Sequence, residues 1–264
     1  MSAAASTMDL AFEATGIGPP VLILHGLFGS GSNWRSVARE LAKAHQVFAI
    51  DLRNHGASHW SDSMSYTEMA DDVHATIQSQ ELDRPTVIGH SMGGKTAMAL
   101  ALMHPESVGR LVVVDVAPVA YADRLSSYVQ AMRTVDVAAT ASRAEVQRTL
   151  GATIPDAGVV SFLMQNLVPR NDHFDWRLNL LGIGASMREL CGFPPELLTQ
   201  RYDGPTHLIA GERSDYAAPA DHAAFARLFP RLQTTIVEGA GHWVHADKPA
   251  EFLDALRAAL GTTR

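Results

Sequence analysis

The chain has 264 residues, of which 47 % are hydrophobic, so it can bury the core of one domain together with an insertion. A formal net charge of −7 without any basic run argues against nucleic acid or an anionic membrane as partner. Cys191 is the only cysteine, which excludes an intrachain disulfide and fits a reducing compartment. The first residues lack the basic and apolar regions of a signal peptide, and no apolar run is long enough to cross a bilayer. We therefore expect a cytoplasmic protein without membrane insertion.

Short apolar runs bounded by glycine and proline alternate along the chain with longer amphipathic stretches. The first run, LAFEATG near residue 10, predicts an antiparallel edge strand. The runs that predict buried strands are VLILHG (21–26), QVFAIDL (46–52), TVIGHS (86–91), RLVVVDVAP (110–118), THLIAGE (206–212) and LQTTIVEGAG (232–241). The stretches between them that predict helices are 34–44, 66–82, 95–108, 221–230 and 249–260. Strands in alternation with helices indicate an α/β fold with a mostly parallel, doubly wound sheet.

One region interrupts this alternation. Residues 119–200 contain several helical patches and no convincing strand, over a length too great for an ordinary connection. We therefore predict a helical cap inserted after the strand that ends at Asp115. The core would then consist of residues 1–118 and 201–264.

The stretch VIGHSMGGKT (87–96) places one serine, Ser91, among three glycines between a strand and a helix. It contains the pattern G-x-S-x-G, in which a tight turn exposes the serine hydroxyl above the carboxyl end of the sheet. Glycine before and after the serine removes side chains that would collide with neighbouring backbone. The alternative is a glycine-rich turn that contains a serine by chance. Because HGLFG (25–29) follows an earlier strand and GHW (241–243) follows the last one, the sequence favours Ser91 as a nucleophile.

These motifs resemble those of the α/β-hydrolases, and more closely those of the bacterial YbfF-type esterases and their mitochondrial relatives. The matching stretches are HGLFGS (25–30), DLRNHGAS (51–58), GHSMGGK (89–95), VVDVAPV (113–119), WRLN (176–179) and GAGHWVHADKP (239–249). The most specific pieces are DLRNHG and GHWVHADKP, since the serine turn is shared by many unrelated activities. The resemblance implies an α/β-hydrolase fold and an ester hydrolase.

His242 is the predicted base that activates Ser91. A serine hydroxyl is a poor nucleophile near neutral pH and needs an adjacent base. His242 follows the final strand in the small-residue loop GAGHW, from which an imidazole can reach over the edge of the sheet. We interpret His245 as a structural hydrogen-bonding residue, His90 as a packing residue and His25 as a residue that holds loops together.

Two aspartates compete for the role of the acid that orients the imidazole. Asp215 lies in GERSDY, one residue later than the usual spacing after this strand, and Ser214 takes the expected place. Asp115 lies at the carboxyl end of the preceding strand, in VVVDVAP. The YbfF-type esterases use this second position, so the resemblance favours Asp115, with Asp215 as the alternative acid.

Backbone N–H groups are predicted to bind the oxyanion. Met92 supplies one of them, and the loop after the first buried strand supplies the other, from Leu27 or alternatively from Phe28. The cap carries more apolar surface than short helices need for their own packing, so we expect part of it to line an acyl pocket. The substrate-binding residues that we predict are Phe28, Leu163, Trp176, Leu181 and Trp243.

The predicted activity is that of a serine carboxylesterase acting on short- to medium-chain acyl esters, with aliphatic polyesters as further candidates. This chemistry needs no metal and no other cofactor. An acyl-CoA thioesterase is the first alternative, although the phosphates of CoA would require a basic patch that the sequence lacks. A catalytically inactive ligand-binding member of the fold is the second. We expect a small-molecule or polymeric ester as the partner of a monomer or homodimer.

Overall fold

The computed structural model describes residues 7–140, 142–171, 173–218 and 221–261. The strands of these ranges are β1 (Phe12–Thr15), β2 (Pro20–Leu24), β3 (Gln46–Ile50), β4 (Thr86–His90), β5 (Arg110–Val114), β6 (Leu167–Arg170), β7 (His173–Trp176), β8 (Thr206–Gly211) and β9 (Leu232–Val237). Their helices are α1 (Arg35–Leu41), α2 (Tyr66–Ser79), α3 (Met92–Met103), α4 (Ser126–Thr134), α5 (Arg143–Thr153), α6 (Ala157–Leu163), α7 (Leu180–Cys191), α8 (His222–Leu228), α9 (Val244–Asp247) and α10 (Pro249–Leu260). None of the helices in the described ranges combines the length and the hydropathy that crossing a bilayer requires.

Seven strands of the described residues form one sheet in the order β1-β3-β2-β4-β5-β8-β9. β1 pairs antiparallel with β3 at one edge, and the other pairings of this sheet are parallel. The inner strands are buried on both faces, which is why their sequences are apolar without alternation. The predicted edge strand and the predicted parallel α/β fold are confirmed.

Helices cover both faces of the sheet. Leu22 of β2 belongs to one hydrophobic cluster, which also contains Leu100 of α3. Its neighbour Ile23 belongs to a second cluster, which contains Phe252 of α10. Successive residues of a strand point to opposite faces, so the two clusters lie on opposite sides of the sheet. The sheet is therefore doubly wound, as predicted.

The segment between β5 and β8, which we call the cap segment (residues 119–200), contains α4 to α7 and a second, two-stranded antiparallel sheet of β6 and β7. The expectation that this segment holds no strand is therefore wrong. Pro169 is tolerated in β6 because both strands of such a pair are edge strands. β6 ends at Arg170 and β7 begins at His173, and the dipeptide between them, Asn171-Asp172, lacks the glycine that marks a two-residue hairpin turn in a sequence. Asp172 lies outside the described residues.

The turn between β4 and α3 holds Ser91 in a sparsely populated backbone conformation, with φ 53° and ψ −118°. A Cβ atom added to Gly89 would lie 2.1 Å from the carbonyl oxygen of Gly93, and one added to Gly93 would lie 2.3 Å from the carbonyl oxygen of Leu24. Only glycine fits at both positions. The N–H of Ser91 donates to the carbonyl of Val114 at 3.0 Å, which attaches the turn to β5.

The loop after β3 connects the core to the cap segment. Asn54 has φ 66°, a conformation that asparagine tolerates, and its carbonyl accepts from the N–H of Asn179 at 3.0 Å. The side-chain oxygen of Asn54 accepts from Nδ2 of Asn179 at 3.1 Å. Next to it, the buried guanidinium of Arg53 donates twice to Asp72, at 2.7 and 2.9 Å. The motifs DLRNHG and WRLN therefore meet in space.

Replacing Gly93 by alanine should destabilise the protein, whereas the same change at Gly151 should not. The added methyl group of Gly93→Ala must displace backbone, at a cost of about 1–3 kcal/mol in the free energy of unfolding. Gly151 lies exposed in α5 with nothing within 4 Å of an added Cβ, so Gly151→Ala should stabilise by about 0.4–1 kcal/mol. Urea unfolding of both variants measures the difference. Equal effects would contradict this account of the turn.

Candidate active site

Ser91 and His242 meet above the carboxyl ends of the parallel strands. Ser91 follows β4, and His242 lies in the loop between β9 and α9. The hydroxyl of Ser91 donates to Nε2 of His242 at 3.0 Å, although 151 residues separate them. The ring of Tyr216 stacks on the imidazole with 4.2 Å between centroids. The structure thus brings the predicted nucleophile and the predicted base into direct contact.

Asp115, which directly follows β5, is the carboxylate that contacts His242. It is fully buried, and its Oδ2 accepts from Nδ1 of His242 at 2.7 Å. The N–H of Gly211 donates to Oδ1 at 2.9 Å, and the hydroxyl of Ser214 donates to Oδ2. These donors compensate for the loss of water around a buried negative charge.

Asp215, the alternative acid, is exposed at the surface. Ser214, which takes the place where the usual spacing puts an acid, donates to Asp115 instead of replacing it. The structure therefore brings Asp115 to the imidazole of His242 and leaves Asp215 outside this hydrogen-bonded chain.

Two buried histidines brace the loop that follows β2. His25 donates from Nδ1 to a backbone carbonyl and accepts at Nε2 from the N–H of Leu52 at 3.0 Å. His55 likewise donates from Nδ1 to a backbone carbonyl and accepts at Nε2 from the N–H of Phe28 at 3.1 Å. Burial lowers the pKa of His25 to about 4 and the pKa of His55 to about 3. One donated and one accepted bond per ring is the pattern of a neutral imidazole, so both rings are uncharged at pH 7.

His90, the neighbour of Ser91, holds the loop that carries His242. Its buried ring donates from Nε2 to the carbonyl of His242 at 2.9 Å. Burial and the nearby imidazoles hold the pKa of His90 well below its usual value. His245 stacks on Trp34 with 4.2 Å between ring centroids, and burial lowers the pKa of His245 to about 4. His90 therefore positions the predicted base, in addition to packing beneath it.

The loop after β2 and the start of α3 present backbone N–H groups beside Ser91. Phe28 has φ 63°, and its N–H is occupied by His55. Within the described residues, the N–H of Leu27 has no acceptor. The N–H of Met92 is the first amide of α3, which has no partner inside the helix. Of the two loop donors considered from the sequence, Leu27 is therefore the free one.

The cap segment reaches the same loop through Asn166. This buried side chain donates from Nδ2 to the carbonyl of Phe28 at 2.8 Å. Phe28 is thus held at its N–H by His55 of the core and at its carbonyl by Asn166 of the cap segment. The position of the cap segment and the backbone conformation of this loop are therefore linked.

An apolar cavity of about 190 Å³ lies beside Ser91. Core and cap segment both contribute to its wall, which includes Phe28, Trp34, Trp243, Leu125, Phe162 and Leu163. Of the predicted substrate-binding residues, Phe28, Leu163 and Trp243 line it. A smaller cavity of about 40 Å³ also borders Ser91, and its wall includes Met92, Lys95, Tyr121 and Cys191.

Trp176 and Leu181 do not line either cavity, which corrects their assignment to the substrate pocket. Trp176 is buried in β7 opposite Leu167, where it packs within the cap segment. Leu181 is 67 % exposed on α7, while Leu180 and Ile183 on the same helix are buried. A helix with an apolar face towards the core turns the residue between those positions outwards.

Sequence reasoning missed three residues that shape the site. His55 is the histidine of DLRNHG, one of the two most specific motifs of the sequence, so this motif was a signal for its role. Asn166 is one of two adjacent amides within the otherwise apolar run FLMQNLV, and a polar residue in such a run is a weaker signal. No pattern in the sequence pointed to Tyr216, because its stacking on His242 depends on how the loop after β8 folds.

Residues 19–249 match the family model described as alpha/beta hydrolase fold. The chain belongs to the α/β-hydrolase family. This α/β-hydrolase is 38 % identical over 250 residues to the sn-1-specific diacylglycerol lipase ABHD11 of Mus musculus, with 92 % of this chain and 81 % of that protein covered. It is 33 % identical over 242 residues to esterase YbfF of Escherichia coli (strain K12), with 91 % and 92 % covered. The predicted resemblance to YbfF-type esterases is confirmed.

A solved structure described as a marine microorganism esterase superimposes on this α/β-hydrolase with a TM-score of 0.90. The two sequences are 34 % identical, and the alignment covers 96 % of this chain and 99 % of the other. The likeness extends over the core and the cap segment alike.

Asp115→Asn should lower turnover of p-nitrophenyl butyrate by about 10³- to 10⁴-fold while the fold remains intact. An amide at this position favours the imidazole tautomer that cannot accept the proton of Ser91. Asp215→Asn is the matched control, because the same change falls on an exposed aspartate, and we expect wild-type turnover. Steady-state kinetics and circular dichroism check both variants. A large loss in Asp215→Asn with none in Asp115→Asn would reverse the assignment.

Proposed function

We propose that this chain, an ester hydrolase like its named relatives, is a serine carboxylesterase that forms an acyl-enzyme on Ser91. The observation that carries this proposal is the continuous chain of hydrogen bonds from the Ser91 hydroxyl through His242 to Asp115. This arrangement has the nucleophile, the base and the orienting carboxylate of a catalytic triad.

In the first half of the reaction, Nε2 of His242 takes the proton of Ser91 as the hydroxyl oxygen attacks the ester carbonyl carbon. The carbonyl oxygen becomes an oxyanion, to which the N–H groups of Leu27 and Met92 donate. Each such donor contributes about 10²- to 10³-fold to the rate. The bond to the alcohol then breaks, and the alcohol leaves with the proton from His242. The acyl group remains bound to Ser91.

In the second half, a water molecule gives a proton to His242 and attacks the acyl carbon. The bond to Ser91 breaks, its oxygen regains a proton from the imidazole, and the carboxylic acid leaves. Asp115 stays ionised throughout and stabilises the imidazolium that forms in each half.

The larger cavity supports a short- to medium-chain acyl group as the part of the substrate bound beside Ser91. Its wall is mostly aliphatic and aromatic, and no lysine or arginine of the described residues belongs to it. A thioester of CoA would need cationic groups for its phosphates, so this wall gives the thioesterase alternative no support. Aliphatic polyesters stay candidates because they present the same carbonyl. The single cysteine fits a reducing compartment and so supports a cytoplasmic location.

Hydrolysis of a p-nitrophenyl ester series from acetate to dodecanoate tests the proposal. The wild type should hydrolyse the shorter members, and Ser91→Ala should lose at least about 10⁴-fold in kcat/KM because the nucleophile is absent. A fluorophosphonate should label the wild type at Ser91 alone. Activity that survives in Ser91→Ala, or a wild type that neither turns over nor takes the label, would overturn the proposal. A higher kcat/KM on the thioester than on the oxygen ester of one acyl group would favour the thioesterase.

Leu163→Ala should shift the acyl preference towards longer chains. Leu163 lines the larger cavity, and its truncation enlarges the space available to the acyl group. Leu181→Ala is the matched control, since Leu181 is exposed on α7 and should leave the preference unchanged. The readout is the ratio of kcat/KM for octanoate to that for butyrate within one preparation, which partial unfolding does not alter. The same shift in both variants would contradict this location of the acyl pocket.

A further inference from the structure

Lys95 is a buried lysine that the proposed reaction does not use. It lies one helical turn after Ser91 on α3, and its backbone N–H donates to the carbonyl of Ser91 at 3.0 Å. Its side chain is only 1 % exposed. Among the described residues no carboxylate pairs with it, which is unusual for a buried lysine.

Backbone carbonyls take the place of an acidic partner. Nζ of Lys95 donates to the carbonyl of Val119 at 2.8 Å, to that of Gly192 at 2.5 Å and to that of Cys191 at 3.3 Å. An ammonium group has three N–H bonds, so all of them are used. The ring of Tyr121, with its centroid 4.5 Å from Nζ, adds a cation–π contact.

The positions of these carbonyls show which parts of the chain the ammonium joins. Val119 is the first residue of the cap segment, and Cys191 and Gly192 lie where α7, the last α-helix of that segment, ends. One ammonium on α3 therefore holds the start of the cap segment and the end of its last α-helix. Lys95 and Cys191 also belong to the wall of the smaller cavity beside Ser91, so the same contacts define that wall.

We propose that Lys95 is a positioning residue whose ammonium clamps the start of the cap segment and the end of α7 to α3 and thereby fixes the smaller cavity beside Ser91. The clamp itself does not depend on the proposed esterase activity. Only its consequence for substrate binding does.

Cys191 is a built-in reporter of this clamp, because it is the only cysteine of the chain and its own carbonyl accepts from Lys95. If the clamp is removed, the end of α7 should open more often and expose the partly buried thiol further. Hydrogen bonds to a charged group contribute enough to favour such opening by about tenfold or more. Burial raises the pKa of the Cys191 thiol, and the positive charge of Lys95 opposes that rise, so loss of the charge alone would slow alkylation. Faster alkylation therefore reports opening.

The experiment compares alkylation of Cys191 by iodoacetamide in the wild type, Lys95→Met and Lys43→Met, followed by mass spectrometry. Lys43 is an exposed lysine, so Lys43→Met controls for the same change of charge. We expect alkylation to be about tenfold faster in Lys95→Met and unchanged in Lys43→Met. Burial lowers the pKa of Lys95 to about 7, so the rates are compared below pH 7, where the ammonium predominates. Removing its charge relieves a desolvation cost, so Lys95→Met should fold. Lys95→Gln, which keeps two N–H donors, should give an intermediate rate and decides the question if the methionine variant does not fold.

Kinetics of p-nitrophenyl butyrate hydrolysis supply the second readout. Ser91, His242 and Asp115 all lie outside the cap segment, so Lys95→Met should raise KM and leave kcat nearly unchanged. Equal alkylation rates in folded wild type and Lys95→Met would overturn the proposal, as would faster alkylation with an unchanged KM. If the wild type lacked esterase activity, the alkylation rates would still decide whether the clamp exists, so the two proposals fail separately.

Discussion

The hydrogen bond between the hydroxyl of Ser91 and Nε2 of His242 is the interaction on which the rest of the site depends. Its partners lie 151 residues apart in the sequence. The turn that carries each residue contributes to the site only when the other residue is in place. The bond forms because β4, β5, β8 and β9 run parallel and end at one edge of the sheet. Asp115, at the end of β5, bridges the gap between the two outer loops and sets the angle of the imidazole. A different strand order in the sheet would separate these three groups.

Uncharged histidine side chains hold the loops on either side of this hydrogen bond. His90 attaches the carbonyl of His242 to the nucleophile turn, and His25 and His55 brace the loop opposite. Burial lowers the pKa of each of these rings, so each ring stays uncharged at pH 7. The backbone carbonyl to which each ring donates sets its tautomer. Supports of this kind add no competing charge beside the imidazole of His242, which is the one that exchanges a proton with Ser91 in the proposed reaction.

The cap segment is attached to the core by directional bonds as well as by apolar packing. Asn166 donates to the loop after β2, Asn179 bonds to Asn54, and Lys95 donates to the start of the segment and to the end of α7. Apolar contacts tolerate sliding, whereas hydrogen bonds to backbone carbonyls fix position. The cavities beside Ser91 lie between core and cap segment, so their shape depends on these few polar contacts.

The amino-acid sequence by itself determined the fold class, the strands of the large sheet and the prediction of Ser91 and His242, because each depends on a local pattern: apolar runs, a glycine-flanked serine and a histidine after the last strand. Spacing along the chain does not measure distance across a sheet, so the acid was predicted as Asp115 from the resemblance, with Asp215 as the alternative. Tertiary structure decided the contact of Asp115 with His242 and turned Leu181 outwards. The direction of a side chain follows from what packs against its element, and those neighbours come from remote parts of the chain.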